Sequence, residues 1–211
     1  MNRESFINQY RMNNRTVKQL DRYYNSLLSF QNNLNLISRN SIEEIWQRHF
    51  FDSAQLLKFA LKRAKEGLWL DIGSGAGFPG IVISLLGYEE VYLVESNKKK
   101  ATFLQHVIDD MGLKAKVIPD RVENLSILNP SIISARAVCS LEKLLKLIYP
   151  MVGLDTLCVF PKGETYSAEL NAALKFWDIN YKLCLSETNS RSRIIIIESY
   201  KKLNRVSSES N

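Results

Sequence analysis

Cysteine, histidine and proline are scarce in this chain of 211 residues, at three, two and five copies. Cys139, Cys158 and Cys184 are odd in number, widely spaced and free of any CxxC pair. That excludes a disulfide framework and reads as reduced thiols in a cytoplasm. His49 and His106 stand near no cysteines or carboxylates at ligand spacing, so no metal site is expected. Apolar runs such as Ile194 to Ile197 fall far short of the roughly 18 residues of a membrane-spanning helix, and no membrane partner is expected. The opening MNRESFINQY has no apolar targeting core, and neither repeats nor low-complexity blocks occur.

What is present is the composition of an ordinary globular protein, 45% hydrophobic and 24% charged. The length suits one full domain with at most a small accessory part. A net charge of +6 and a pI of about 9.2 give a mild bias toward anionic partners. Charge alone does not separate an RNA-binding protein from a merely basic enzyme. No exposed apolar heptad is visible, so a monomer is expected.

Hydropathy divides the chain into a helical region at 1–66, an α/β domain at 67–202 and a polar tail at 203–211. Leu20, Tyr23, Tyr24, Leu27 and Leu28 recur at the spacing of one buried helix face. After the loop NNLNLISRN, a second helix is predicted from Ser41, with Glu44 closing a capping box and Gly67 marking the stop. Short apolar runs then alternate with helical ones, the pattern of βαβ units. Strands are predicted at 68–72, 91–95, 115–118, 132–135 and 156–160, and helices near 80–86, 98–111, 141–151 and 168–177. Two last strands near 180–184 and 194–199 are joined by SETNSRS, too short for a crossover helix, so they should pair antiparallel. The fold class is therefore α/β, a Rossmann-like sheet of parallel strands with a C-terminal antiparallel hairpin.

The stretch WLDIGSGAGFPG at 69–80 places a glycine-rich turn at the carboxyl end of the first strand, where open α/β sheets bind ligands. Asp71, Gly73, Ser74, Gly75 and Gly77 form it. Glu95, at the end of the second strand, can accept both hydroxyls of a ribose, which makes the ligand an adenosine-type cofactor. Two readings remain on these residues. Gly75, Gly77 and Gly80 satisfy the GxGxxG of a dinucleotide site, whereas an acid followed by GxGxG suits S-adenosylmethionine.

DIGSGAGFPG, together with NLNLIS at 33–38, RHFFDS at 48–53, RVENL at 121–125, SARAVCSL at 134–141 and FPKG at 160–163, resembles the ribosomal RNA small subunit methyltransferase G family, also called glucose-inhibited division protein B. The resemblance runs from about residue 20 to 200. It implies a Rossmann-like S-adenosylmethionine-dependent methyltransferase acting on N7 of a guanine, position 527, in the 530 loop of 16S ribosomal RNA, presented by the 30S subunit or an assembly intermediate. By motif it implies cofactor contacts at Gly73, Phe78, Val122, Glu123 and Arg136. SARAVCSL and FPKG depart from the commoner family forms, and Pro161 alters the loop that carries Lys162.

Guanine N7 carries a lone pair when neutral, so its methylation needs no general base and catalysis rests on positioning and electrostatics. No Asn-Pro-Pro-aromatic type of motif follows the fourth strand; Ala135, Arg136 and Ala137 stand there. Arg136 and Lys162 are the candidate catalytic residues, for the cofactor carboxylate, an RNA phosphate or guanine O6. The competing reading for each is an ordinary salt bridge or a solvated lysine. Cytosine methylation would instead use a cysteine such as Cys139, which equally suits a packing role. Arg121 and Lys98 to Lys100 offer a basic surface or a solvated helical turn. Arg48, His49 and Asp52 either brace the helical region over the cofactor mouth or meet RNA, or else form a packed histidine beside a helix ion pair. Asn33, Asn35 and Ser38 are either loop caps or a flap over the site.

Overall fold

The computed structural model describes residues 1–61, 66–125 and 129–203. The expected tail therefore lies outside the described residues beyond Leu203. Seven strands form one sheet: β1 (Trp69–Ile72), β2 (Val91–Val94), β3 (Lys116–Ile118), β4 (Ile132–Ala135), β5 (Leu157–Lys162), β6 (Trp177–Leu185) and β7 (Arg193–Lys202). Their order is β3-β2-β1-β4-β5-β7-β6. β1 to β5 pair parallel, and β7 pairs antiparallel with both β5 and β6. Crossovers leave β1 on one side toward β2 and on the other toward β4, so the crevice at the switch point opens between their carboxyl ends.

The central strands are apolar at nearly every position because both faces are covered. Trp69, Ile132, Val159 and Ile196 belong to the cluster on one face, and Leu70, Ile133, Phe160 and Ile197 to the cluster on the other, in period two. On the first face lie α1 (Arg3–Gln9), α2 (Asn14–Leu34), α3 (Asp52–Ala60), α4 (Gly80–Leu85) and α5 (Lys98–Met111). α6 (Leu141–Ile148) and α7 (Tyr166–Ala173) cover the second. The amino-terminal helices share the first cluster with the sheet, from Phe6 through Leu93.

Several boundaries differ from the sequence-based expectation for identifiable reasons. The second helix does not start at Ser41: a π-helical turn, Trp46–Phe51, leads into α3. The capping box fails because the Ser41 hydroxyl donates to the Ser38 carbonyl at 2.7 Å, while Glu44 lies 3.6 Å from Arg48. α7 stops at Ala173, since Trp177 opens β6 and packs on Tyr149 and Tyr200. Both hairpin strands run longer than expected, pairing from Trp177 opposite Lys202 to Leu185 opposite Arg193. Asn35, with φ of 46°, ends α2 in the left-handed conformation.

Candidate active site at the carboxyl end of the sheet

The glycine turn between β1 and α4 is held from below. Asp71 is 0% exposed; its carboxylate accepts from the Ser134 hydroxyl at 2.7 Å and the Gly80 amide at 3.2 Å. Ser134, its register partner on β4, also accepts from the Trp69 indole at 2.8 Å. Burial pushes the Asp71 carboxyl up to about 6, opposed by these donors. Ser74 is buried and donates to the Asp71 carbonyl. Gly77, with φ of 100°, has no room for a side chain: a Cβ there would lie 2.5 Å from Ile81 and 3.0 Å from the Tyr23 hydroxyl.

The open face of the turn is different. A Cβ on Gly75 would meet only the Gly73 carbonyl, at 3.8 Å. Its amide donates to Glu95 at 2.8 Å, whose other oxygen accepts from the Asn97 amide at 2.7 Å. Beyond it the turn Val122–Asn124 packs Val122 against the sheet and leaves Glu123 exposed. A main chain without side chains, a carboxylate at its rim and an apolar wall fit an adenosine-type cofactor. Gly75, Glu95 and the Val122–Asn124 turn lie at the carboxyl ends of β1, β2 and β3, whereas a Cβ on Gly73 would lie 2.6 Å from Val138. Asp71, Ser74 and Gly77 support the glycine turn from beneath instead of lining its open face.

Phe78 is likewise a support: its ring, 3% exposed, is enclosed by Tyr23, Phe50, His49 and the Arg136 guanidinium. The Tyr23 hydroxyl reaches past it to donate to the Ala76 carbonyl at 2.8 Å, so α2 clamps the turn directly.

Arg136 leaves the end of β4 on the same face of the sheet as the amino-terminal helices. It donates to the Arg48 carbonyl at 2.9 Å and to Nδ1 of His49 at 2.8 Å, and lies 3.6 Å from Asp52. The expected Arg48–Asp52 ion pair therefore does not form. Asp52 turns to Arg136 and also accepts from Thr188 at 2.8 Å and Gln55 at 2.8 Å. Burial pushes the Asp52 carboxyl up, and Arg136 opposes that. His49 is pushed down to about 3 by burial and by the two nearby arginines, so it is neutral at physiological pH.

Lys162 emerges on the opposite face. Its ammonium donates to the Cys139 carbonyl at 2.9 Å and to Glu169 at 2.8 Å, and Glu169 also accepts from the Leu141 amide that opens α6. Sequence reasoning passed over Glu169 and Thr188; the only available signals were a carboxylate seven residues beyond Lys162 and a hydroxyl in the hairpin connection. Burial raises the Cys139 thiol and pushes Cys158 up to about 12, so both stay protonated thiols.

Arg136 and Lys162 both line one polar groove of about 870 Å³. Its far wall is made by Ser186 and residues 188–193 at the β6–β7 connection, with Gly163 and Glu164. Arg121 is exposed beyond the cofactor mouth, and Lys98 to Lys100 form the first turn of α5, capped by Asn97. Ser38 is tied to Ser41 at 2.9 Å as a loop cap. Among the described residues no group of side chains is arranged to hold a metal ion, and no helix is long and apolar enough to cross a membrane.

Known structures match this fold. A MtNAS mutant solved in complex with S-adenosylmethionine superposes with a TM-score of 0.56 at 16% identity, covering 92% of this chain and 75% of its own. A putative S-adenosyl-L-methionine-dependent methyltransferase of Methanococcus maripaludis gives 0.55 at 16% identity, covering 75% and 90%. The fold is thus that of the S-adenosylmethionine-dependent methyltransferases. In sequence, the ribosomal RNA small subunit methyltransferase G of Zymomonas mobilis is 37% identical over 187 residues, 86% of this chain and 85% of the relative. That of Orientia tsutsugamushi is 35% identical over 194 residues, 92% and 96% of the two chains. Residues 16–195 match the model of that family, and the chain belongs to the rRNA small subunit methyltransferase G family.

Proposed function

We propose that the chain methylates N7 of the guanine at position 527, in the 530 loop of 16S ribosomal RNA, as a monomer acting in the cytoplasm on the 30S subunit or an assembly intermediate. The cofactor is S-adenosylmethionine, which when bound supplies an electrophilic methyl group on a sulfonium. Gly73, Gly75, Glu95, Val122 and Glu123 would hold it, with Asp71, Ser74, Gly77 and Phe78 keeping the turn in shape.

One observation carries the N7 assignment: the acids and the imidazole at the groove are each engaged by a cation of the site. Asp52 and His49 hold Arg136, and Glu169 holds Lys162. Such a site is built to fix cations rather than to remove a proton, which suits a nucleophile that already has its lone pair. Arg136 and Lys162 are then the groups that touch substrate. Lys162 has two of its three donors engaged and one left for guanine O6 or a phosphate. Arg136 is held through the Arg48 carbonyl and His49, and its remaining N–H groups are the donors for a phosphate or the cofactor carboxylate. The Arg136 and Lys162 side chains are 17% and 8% exposed, so these contacts count for more than they would on an open surface. Holding N7 in line with the methyl can supply about 7–11 kcal/mol of barrier lowering without any proton transfer.

The test is transfer of a labelled methyl group to 30S particles and to 16S RNA from cells lacking this protein, with the product nucleoside identified by mass. 7-Methylguanosine in the 530 loop is the expected result; label at another atom or in another loop would overturn the assignment.

A further inference from the structure

The rRNA reading leaves open which surface grips the RNA, and the groove answers that through its charge pairs. Five cations line it, and four have a carboxylate of the same groove: Arg48 with Glu44, Arg136 with Asp52, Arg191 with Glu164, Lys162 with Glu169; the fifth, Arg193, donates to the Ser190 and Ser192 carbonyls and lies over the Tyr166 ring. The pairs fall into two kinds. Arg136 and Asp52 are 17% and 18% exposed, and Lys162 and Glu169 are 8% and 23%. Arg191 and Glu164 are 73% and 54% exposed, at 3.0 Å. Breaking a buried pair is costly, whereas an exposed one contributes about 0–1 kcal/mol. A phosphate can therefore replace Glu164 on Arg191 at small cost while Arg136 and Lys162 keep their places.

We propose that the β6–β7 connection is the wall that grips the RNA, with Arg191 as a phosphate contact that Glu164 occupies until RNA arrives; this rests on the rRNA methyltransferase reading above. The connection is a fixed platform. Gln47 donates to the Thr188 carbonyl at 2.7 Å, the Glu187 amide to Gln55 at 2.8 Å, and Thr188 to Asp52 at 2.8 Å. Asp52 is also the partner of Arg136, so the wall and the reacting end of the groove are built on one carboxylate. A cation on backbone already ordered loses less entropy on binding. Asn189 accepts from the Arg191 amide at 2.9 Å and sets the local turn. The competing basic feature, Lys98 to Lys100, starts α5 after β2, on the other side of β1 from the groove. Its lysines are a solvated helical turn in this assignment.

The outcome is read in the full-length protein with saturating S-adenosylmethionine, as KM and kcat for 16S RNA and 30S particles from cells lacking the protein, across a KCl series. Arg191→Ala should raise KM about three- to tenfold with kcat within about twofold, and should shrink the slope of log(kcat/KM) against log[salt] by about 0.7 to 0.9, the share of one phosphate. Glu164→Gln should lower KM about two- to fivefold by removing the internal competitor. The joint replacement of Lys98, Lys99 and Lys100 by Ala should leave KM within about twofold. Arg191, Glu164, Lys98 and Lys99 are exposed and Lys100 is half-buried, so thermal melts should stay near wild type. Unmoved KM in Arg191→Ala and Glu164→Gln, with normal transfer by wild type, would overturn the gripping wall alone; so would a KM rise confined to the lysine variant, which places the RNA on α5. Wild type that binds the cofactor and transfers methyl to neither RNA form would bring down the parent reading as well.

Discussion

Arg136 reaches Nδ1 of His49 at 2.8 Å, and that contact decides which ring nitrogen carries the proton. A guanidinium only donates, so Nδ1 must accept and the hydrogen sits on Nε2. Nε2 in turn lies 2.8 Å from the Ser41 hydroxyl, whose own hydrogen points to the Ser38 carbonyl. A relay from the 38–41 loop through His49 thus sets the orientation of Arg136.

The relay gives a pH signature. Free histidine titrates near 6.5, whereas His49 is held at about 3. Between these values the unfolded chain binds a proton that the folded chain does not, so stability is full above about 6.5 and falls as pH drops, by about 1.4 kcal/mol per unit. Asp71 acts oppositely. Its folded value of about 6 lies above the unfolded one, so stability falls as pH rises from about 4 to about 6. The two slopes oppose each other in wild type, and Asp52, also pushed up by burial, acts in the same direction as Asp71. Urea unfolding at pH 4 to 6 should show Asp71→Asn gaining stability with rising pH and His49→Asn losing it; parallel slopes in all three proteins would refute the opposition.

Arg136→Ala should cut methyl transfer by about 10²- to 10³-fold, the range for loss of one preorganised electrostatic contact. It also strands Asp52, at about 3–5 kcal/mol. Arg136→Ala combined with Asp52→Asn removes the stranded charge. Melting temperature should then recover in part while transfer does not. Wild-type turnover in the double variant would exclude a direct role for Arg136.

Gly75 and Gly77 separate binding from folding. Ala at 75 costs about 1–2 kcal/mol for the left-handed conformation and points a methyl into the open mouth. Calorimetric titration should find S-adenosylmethionine affinity reduced at least about tenfold in Gly75→Ala. Gly77→Ala drives a methyl into Ile81 and the Tyr23 hydroxyl, an overpacking cost of about 1–3 kcal/mol or more, and should appear first in the melting temperature. Normal cofactor binding by Gly75→Ala would move the mouth elsewhere.

Glu169→Gln keeps the shape but removes the charge that holds Lys162. Transfer should fall in the same direction as in Lys162→Ala and by less, with kcat more affected than KM. A fall in stability with unchanged kcat in both variants would reduce Lys162 to a structural link between β5 and α6.

Much of the sheet was legible because Leu70, Ile133 and Val159 sit in strands buried on both faces, and short apolar runs between helical patterns have few other solutions. The glycine turn was legible for a similar reason: Gly75 and Gly77 are conformational necessities. What was hidden is contact across the chain. Asp52 and Arg48 are four residues apart on what reads as one helix, yet Asp52 chooses Arg136, 84 positions later, because Thr188 and Gln55 turn it toward the sheet. Ser41 looked like a cap because spacing to Glu44 shows neither His49 nor the π-helical turn. Phe78, beside the glycines in sequence, shares a pocket with Tyr23 and Phe50 that only the docked helices create.

The bond from the Tyr23 hydroxyl to the Ala76 carbonyl makes the cofactor turn and the amino-terminal helices parts of one mechanical linkage. Any displacement of Ala76 that accompanies cofactor binding is felt at α2 through that bond, and any force an RNA exerts on the helices returns along it. Binding free energies couple symmetrically. Whatever factor the cofactor exerts on RNA affinity through Tyr23, the RNA must exert on cofactor affinity, and Tyr23→Phe is the substitution that would uncouple them.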